Sequence, residues 1–588
     1  PSQPYFILKT IILHNIYGVD IMKEATEICK LRLFLKLAAQ TTPDTTKPNL
    51  GIEPLPDIDF NIRAGNTIVG FATRKELEAV GDTDLIRKQE VNGVLSDAED
   101  AGKLFARFQQ CQIEGDESPA EFKKLLTEKF GDLRRKCDAF LADIYEMGQS
   151  AKPKKFEAWL ESHTPFHWFI EFCGIMSKGG FDVVIGNPPY VATSKVDYLS
   201  AEARAKKIPD VYGHVLLRSL AITTATGRCG MIIPMSITFS EDFGDLRKTL
   251  AGAGKAWFSS FDNIPAALFA GVSQRCTIWL GVRSHTAKVF TTQMYRWRSV
   301  TRTSLLQTIR YAEINALACC GSGLPKVSSR ELSSLLHRLS NPTAHPRRST
   351  IALNRAKGVH VGFSQAARNF VSVFIEEPPC LDEKTLKQGV SSKIGYVKLA
   401  DEPTAFAGLG ALLGEMFFWY WLTRGDGFDV TGWIISDFLK CMDHLPDTHM
   451  SVLSRIGHAL HERRFEALVF KKNAGKFVGN YNFRGHSNLT RRADLILLGG
   501  LGVDRKTALE VFNHIQCVLA INEFAGEKSI PATIKAKFRS KSPDERNEKS
   551  ITTEADTLIK EQFGFSDAEL EYLLQREVMY ANGVPSED

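Results

Sequence analysis

Long, clean apolar runs are missing from these 588 residues. The nearest, Thr404 to Leu422, is about one membrane span long but contains Glu415 and three glycines, which reads as a buried helix of a globular protein. The N-terminus lacks the charged, apolar and small-residue blocks of a secretion signal. Cysteine is sparse and unpatterned: 11 residues, no C-x-x-C, and only Cys319 and Cys320 as close neighbours. Such a set points to reduced, mostly buried thiols in a cytoplasmic protein rather than to a disulfide scaffold. Charge of one sign is lacking too. Lys plus Arg is 73 against 68 Asp plus Glu, a net +5, which is too small a bias to identify a nucleic-acid binder by itself. There is no internal repeat. What remains, 44% hydrophobic and 24% charged residues, excludes wholesale disorder and leaves room for about four domain-sized units. Residue 1 is Pro rather than Met, so the sequence is expected to begin inside a domain.

Several segments carry a strand signal. Ile16 to Ile21 (IYGVDI) reads as a short strand ending in an acid, followed by a helix with Ile28, Leu31, Leu35 and Ala38 on one face. Phe181 to Gly186 (FDVVIG) reads as a compact buried strand, and Gly230–Ile233 and Cys276–Val282 as two more. Between them, residues 96–160 are charged and helical in pattern, with a capping box at Ser118-Pro119-Ala120-Glu121. Strands alternating with helices predict an α/β domain with a parallel sheet. Beyond about residue 300 that rhythm fades. A basic connector over 341–357 leads into a second mixed region, and from Ser451 onward the pattern is mainly helical.

The chemistry lies in Asn187-Pro188-Pro189-Tyr190, directly after FDVVIG. At average residue usage these four occur by chance with a frequency on the order of 10⁻³ in a chain of this length, and the preceding strand lowers that further. A merely rigid turn would explain the two prolines. The full set fits the activation of an exocyclic amine, whose lone pair is conjugated into its ring. The Asn187 amide oxygen and the Pro188 carbonyl can accept its two hydrogens, and proline brings no competing N–H. Tyr190 offers a flat face for a planar base, and the strand end is where α/β sheets bind ligands.

On these residues the sequence resembles the N6-adenine DNA methyltransferases, whose fourth motif is Asp/Asn/Ser-Pro-Pro-Tyr/Phe. The wider text at 165–191 (PFHWFIEFCGIMSKGGFDVVIGNPPYV) looks like the large bacterial members, including type IIG restriction–modification enzymes and phage-defence methyltransferases. The resemblance implies S-adenosylmethionine as cofactor, duplex DNA as partner, no metal and no membrane. It implies a Rossmann-like class I methyltransferase sheet over 1–300 with a helical insert at about 96–160. An α+β target-recognition domain over 301–450 and a helical region over 451–588 would follow. Residue by residue, Asp20 of IYGVDI corresponds to the acid on the cofactor ribose. Asn66 and Ile68 of FNIRAGNTIVGF correspond to the contacts around the cofactor adenine. Phe269, in Ala267 to Val272, corresponds to an aromatic that stacks on the flipped base opposite Tyr190. Asp210-Val211-Tyr212 and GRCGMIIP at 227–234 correspond to scaffold motifs. The implied reaction is direct methyl transfer to adenine N6 without a dedicated general base.

The family's first motif, an acid and a glycine-rich loop, has no counterpart before IYGVDI. Ala318 to Gly323 (ACCGSG) imitates it, but Gly321 and Gly323 precede no suitable second motif. The expectation is therefore a sheet lacking its first strand, with this sequence the C-terminal part of a longer or split protein. The missing segment or a companion restriction or defence subunit would then be a partner. Alternatives are a protein-glutamine or RNA methyltransferase, or a catalytically incomplete DNA-binding fragment. Other chemistry is thin. His163 and His167, like His458 and His461, form no zinc motif. A nuclease would need Pro56-Asp57 beside Glu121-Phe122-Lys123, which lie far apart in sequence. Candidate phosphate contacts are Arg347, Arg348, Arg355, Lys357, Arg463, Arg464, Lys471, Lys472, Arg491 and Arg492.

Overall fold

Glycine and aspartate close several of the short apolar runs, and these runs become strands. In the computed structural model they are β1 (Gly18–Asp20), β2 (Ile62–Ala64), β3 (Phe181–Gly186), β4 (Thr223–Pro234), β5 (Gly254–Phe261), β6 (Cys276–Arg283), β7 (Lys288–Tyr295) and β8 (Ala312–Ile314). The structure describes residues 3–575 apart from 42, 53, 83, 115–117, 148–152, 270, 272, 316–322, 341–345, 353–357, 368, 392, 521–537 and 539–544. The string 318–322, Ala270, Val272, Arg355 and Lys357 therefore lie outside the described residues. Two compact units make up the chain. The first comprises Pro1–Ile233, Asp245–Ala256 and Trp279–Ala287; the second comprises Pro234–Gly244, Trp257–Ile278 and Lys288–Asp588.

β1 and β2 form a parallel pair of their own, in register from Gly18 with Ile62 to Asp20 with Ala64. A separate six-stranded sheet has the order β3-β4-β6-β5-β7-β8, and the division between units runs through β5 and β6. β3 and β4 are parallel, whereas β7 and β8 are antiparallel, so the α/β expectation holds and the sheet is mixed. FDVVIG is a strand but not a buried one. β3 occupies a sheet edge, and Val183 and Ile185 are 57% and 78% exposed. The helix after β1 forms over Lys23–Ala38, yet Ile28, Leu31 and Leu35 on its expected inner face are exposed. The helical spacing is correct, but the face it defines is exposed among the described residues.

The helical insert begins earlier than its charged composition indicates. It consists of Leu85–Glu114, Pro119–Ile144 and Pro153–His163. Ser118 stands at the N-cap with Pro119 at the first helical position, but its side chain makes no capping hydrogen bond. In the first helix Val91, Val94, Leu95, Ala98, Ala101, Phe105 and Phe108 are buried, and in the second Leu126, Phe130, Leu133, Cys137 and Phe140. This 3–4 spacing builds one apolar stripe per helix. The two stripes share a core with Phe60, Val69 and Phe71 and with Phe166, Trp168, Phe169 and Phe172. The insert thus supports the loop after β2 and the segment leading to β3.

In the second unit, β9 (Val359–Ser364), β10 (Val373–Phe374) and β12 (Ile394–Leu399) form a sheet of order β10-β9-β12. β11 (Cys380–Asp382), β13 (Leu468–Asn473) and β14 (Lys476–Tyr481) form another, ordered β11-β14-β13. The apolar stretch expected as one buried helix is two buried helices, Glu402–Leu412 and Glu415–Arg424, bent by 72°. The bend falls at Gly414, where the Asp494 carboxylate accepts the Glu415 N–H at 2.7 Å and the Met416 N–H at 3.2 Å. This caps the second helix from within the core. Among the described residues no single helix is long and apolar enough to cross a membrane.

Candidate active site

Parallel pairing brings the ends of β1 and β2 to one level. The Gly65 N–H donates to the Asp20 carbonyl at 2.9 Å, which extends the pairing past Ala64 and places Asn66 beside the end of β1. The Asp20 carboxylate is exposed, with its Oδ1 accepting the Met22 N–H at 2.8 Å. The second carboxylate oxygen can accept from a ligand donor. Asn66 is only 4% exposed. Its Oδ1 accepts the Ile68 N–H at 3.3 Å, while its Nδ2 is buried with no hydrogen-bond partner. A buried amide donor without an acceptor is costly, and such a group in a loop beside an exposed acid fits a ligand that accepts a hydrogen bond. Ile68 is half-buried next to it.

The turn after β3 holds Asn187 and Pro189 exposed, Pro188 buried and Tyr190 half-buried. The Tyr190 hydroxyl lies 3.0 Å from Asn187 Oδ1 and 3.1 Å from the Ile232 carbonyl, and donates to both as a shared bond. Ile232 belongs to β4, the parallel neighbour of β3, so the phenol is anchored across the strand ends. Asn187 Oδ1 keeps a second lone pair for another donor. Beyond Tyr190, the Val211 N–H donates to the Val191 carbonyl at 2.8 Å, and Thr193 N–H to Pro209 at 2.8 Å. The first residue of the helix Val211–Ala221 is therefore hydrogen-bonded to the residue that follows the Asn187–Tyr190 turn. Tyr212 is fully buried in it, and burial together with Lys206 and Arg204 pushes the neighbouring His214 imidazole down to about 4. His214 is neutral near pH 7 and packs as a neutral ring.

Phe269 is half-buried and belongs to the second unit, whereas Tyr190 belongs to the first. Its loop is pinned at the base by Asp262, which is 2% exposed and accepts from Arg275 Nε at 2.8 Å and Arg296 Nε at 2.7 Å. Leu268 packs on the core of Phe261, Tyr295 and Trp297, and its carbonyl accepts from Arg302 at 2.6 Å.

The remaining sequence candidates resolve differently. His163 packs on Trp159 and Tyr145, while His167 accepts the Phe71 N–H at Nδ1 and meets Asp138 at 3.0 Å through Nε2. Both are structural. Lys123 does reach Asp57, and Asp59 at 2.6 Å, but Lys30 also pairs with Asp59 at 2.7 Å. Two lysines neutralise these acids, and among the described residues no group of three or more His, Cys, Asp or Glu could hold a metal. Several proposed phosphate ligands are engaged internally. Arg491 and Arg492 are buried against Glu415 and Asp556; Arg463, Arg464 and Lys472 pair with Glu548, Glu376 and Glu383; Arg348 reaches Asp447. These partners lie far along the chain, where sequence pattern does not reveal them.

Residues 14–254 match the model of the Eco57I restriction-modification methylase family. The chain carries an Eco57I restriction-modification methylase domain. That domain contains Asp20, Asn66 and Asn187–Tyr190, and its match ends before Phe269. Over 278 residues the chain is 31% identical to a protein named as a type II restriction enzyme and methyltransferase in Methanocaldococcus jannaschii. The alignment covers 41% of this chain and 23% of that protein's length. Two solved structures are similar at low identity. One is a nuclease-deletion mutant of the Type ISP restriction-modification enzyme LlaGI with a DNA substrate mimic. It is 9% identical over 95% of this chain and 65% of that one, with a TM-score of 0.33. The other is the Type IIL enzyme MmeI in complex with DNA, 11% identical over 63% and 57%, with a TM-score of 0.28.

Proposed function

We propose that the chain belongs to a restriction-modification DNA methyltransferase that transfers a methyl group from S-adenosylmethionine to adenine N6. The Eco57I methylase domain supports methyl transfer to DNA in such a system. The observation that carries the adenine reading is the Asn187–Tyr190 turn, with its exposed amide oxygen anchored by the Tyr190 hydroxyl. The catalytic part is assigned to residues 1–300 in a Rossmann-like arrangement. DNA target recognition is assigned to 301–450, accompanied by the region 451–588.

Asp20 is the acceptor for the two ribose hydroxyls of the cofactor, Asn66 Nδ2 the donor to its adenine ring, and Ile68 an apolar wall. The unpartnered Asn66 donor is the feature of this chain that fits the cofactor. When bound, S-adenosylmethionine supplies an electrophilic sulfonium methyl. The chain's own residues then orient the acceptor. Asn187 Oδ1 and the Pro188 carbonyl accept hydrogen bonds from the two amine hydrogens, which favours a pyramidal nitrogen with its lone pair available. Tyr190 stacks on one face of the extruded base, offsetting part of the unstacking cost. No side chain needs to remove a proton before transfer.

The test is transfer of labelled methyl to duplex DNA, followed by nucleoside analysis. N6-methyladenine is expected in the parent, and Asn187→Ala is expected to lower the rate at least about 100-fold with DNA affinity retained. Label on cytosine or on protein, or an unchanged rate in the variant, defeats the assignment.

A further inference from the structure

The loop from Asn66 to Ala72 is held by an unusually complete set of hydrogen bonds. The segment before β3 supplies one side: Asn66 N–H donates to Thr164 at 2.8 Å, Phe166 N–H to Val69 at 2.7 Å and Phe169 N–H to Phe71 at 3.3 Å. Trp168 Nε1 adds a bond to the Thr67 carbonyl at 3.1 Å. Two carbonyls, Ile68 and Gly70, point the other way, and both accept from Arg218 Nη2 at 3.1 Å. Arg218 Nη1 meanwhile donates to Glu76 Oε2 at 3.0 Å, and that same oxygen accepts the Ala72 N–H at 2.7 Å. One guanidinium therefore closes the loop at three points. Its side chain is 15% exposed, so these bonds are largely shielded from water.

Arg218 sits seven residues into the helix that begins at Val211, about 10 Å along its axis. The first turn of that helix is bonded to Val191, immediately after Tyr190. The helix is a strut whose two ends touch the two halves of the site. We propose that Arg218 is a positioning residue, which fixes the Asn66–Ile68 loop at a set distance from the Asn187–Tyr190 turn. The inference rests on the reading of that loop as the adenine contact of the cofactor. The planar fork is essential to it. A lysine ammonium lacks the flat, divergent donor geometry that reaches two carbonyls and a carboxylate together.

The experiment compares the intact parent protein with Arg218→Lys and Arg218→Met. Three quantities are measured: hydrogen exchange at the amides of residues 68–72, the dissociation constant of S-adenosylmethionine, and that of duplex DNA. In both variants, loop exchange and cofactor dissociation constant are expected to rise about 10-fold, with DNA affinity unchanged within about twofold. Arg74→Lys, at a surface pair with Glu78, serves as the control and should move none of them. Loop exchange within about twofold of the parent overturns the proposal. So does an equal rise throughout β3 and β4, which marks general destabilisation. A parent that takes up no S-adenosylmethionine defeats the functional reading alone, because the exchange arm still decides whether Arg218 holds the loop.

Discussion

In the proposed reaction Tyr190 has two separable jobs that its single side chain combines. Its ring offers a stacking face, and its hydroxyl ties Asn187 Oδ1 to the Ile232 carbonyl. Removing only the hydroxyl leaves the face intact and lets the Asn187 amide rotate. Tyr190→Phe is therefore expected to lower kcat about 10-fold with the KM for DNA unchanged, whereas Tyr190→Ala should also weaken base extrusion. Steady-state kinetics and the fluorescence of a base analogue at the target position separate the two. Equal kcat in Tyr190→Phe and the parent would show that the hydroxyl orients nothing. Asp20, Asn66 and Asn187–Tyr190 were legible as candidates because short motifs sit at strand ends. Arg218 was not. Its partners lie some 150 residues upstream, and its local text marks it only as a basic residue near the end of a helix.

Glycines inside helices show how packing overrides propensity at the level of whole elements. Gly457, in the helix Asp447–Glu462, lies so close to Glu402–Leu412 that an added Cβ would come within 1.8 Å of the Phe406 carbonyl. Gly93, in Leu85–Glu114, has nothing within 4 Å of the same position. On propensity alone both Gly→Ala changes would stabilise by roughly 1 kcal/mol. The expectation is that Gly93→Ala does so, while Gly457→Ala destabilises by about 2 kcal/mol because backbone must move. Urea unfolding followed by helical ellipticity reads both signs, and a stable Gly457→Ala would mean that the two helices separate at little cost. The same limit governed sequence reading. Helix and strand existence followed from local pattern, as in β1, β3 and the insert. Which faces become buried depends on neighbours, as the exposed Ile28, Leu31 and Leu35 and the 72° break at Gly414 show.

Over the whole molecule, a net +5 does not tell which of the proposed phosphate ligands are committed to internal partners. Arg492 is buried and bonded to Asp556 at 2.7 and 2.9 Å, and Arg463 is committed to Glu548. Arg347 and Lys471 are exposed, the lysine lying over the Phe370 ring at 4.9 Å. If the second unit contacts DNA phosphates, the exposed pair contributes to counterion release and the buried pairs do not. Each phosphate neutralised adds about 0.9 to the slope of log K against log salt concentration. Arg347→Ala combined with Lys471→Ala is thus expected to flatten the slope by about 1.8 without lowering the unfolding midpoint. Arg492→Ala should do the reverse, leaving the slope alone and destabilising the fold, because it strands Asp556 in a half-buried site. DNA binding titrated from low to moderate salt in the parent and both variants makes the comparison. A slope that responds to Arg492 and not to the exposed pair would move the DNA contact to a different face of the second unit.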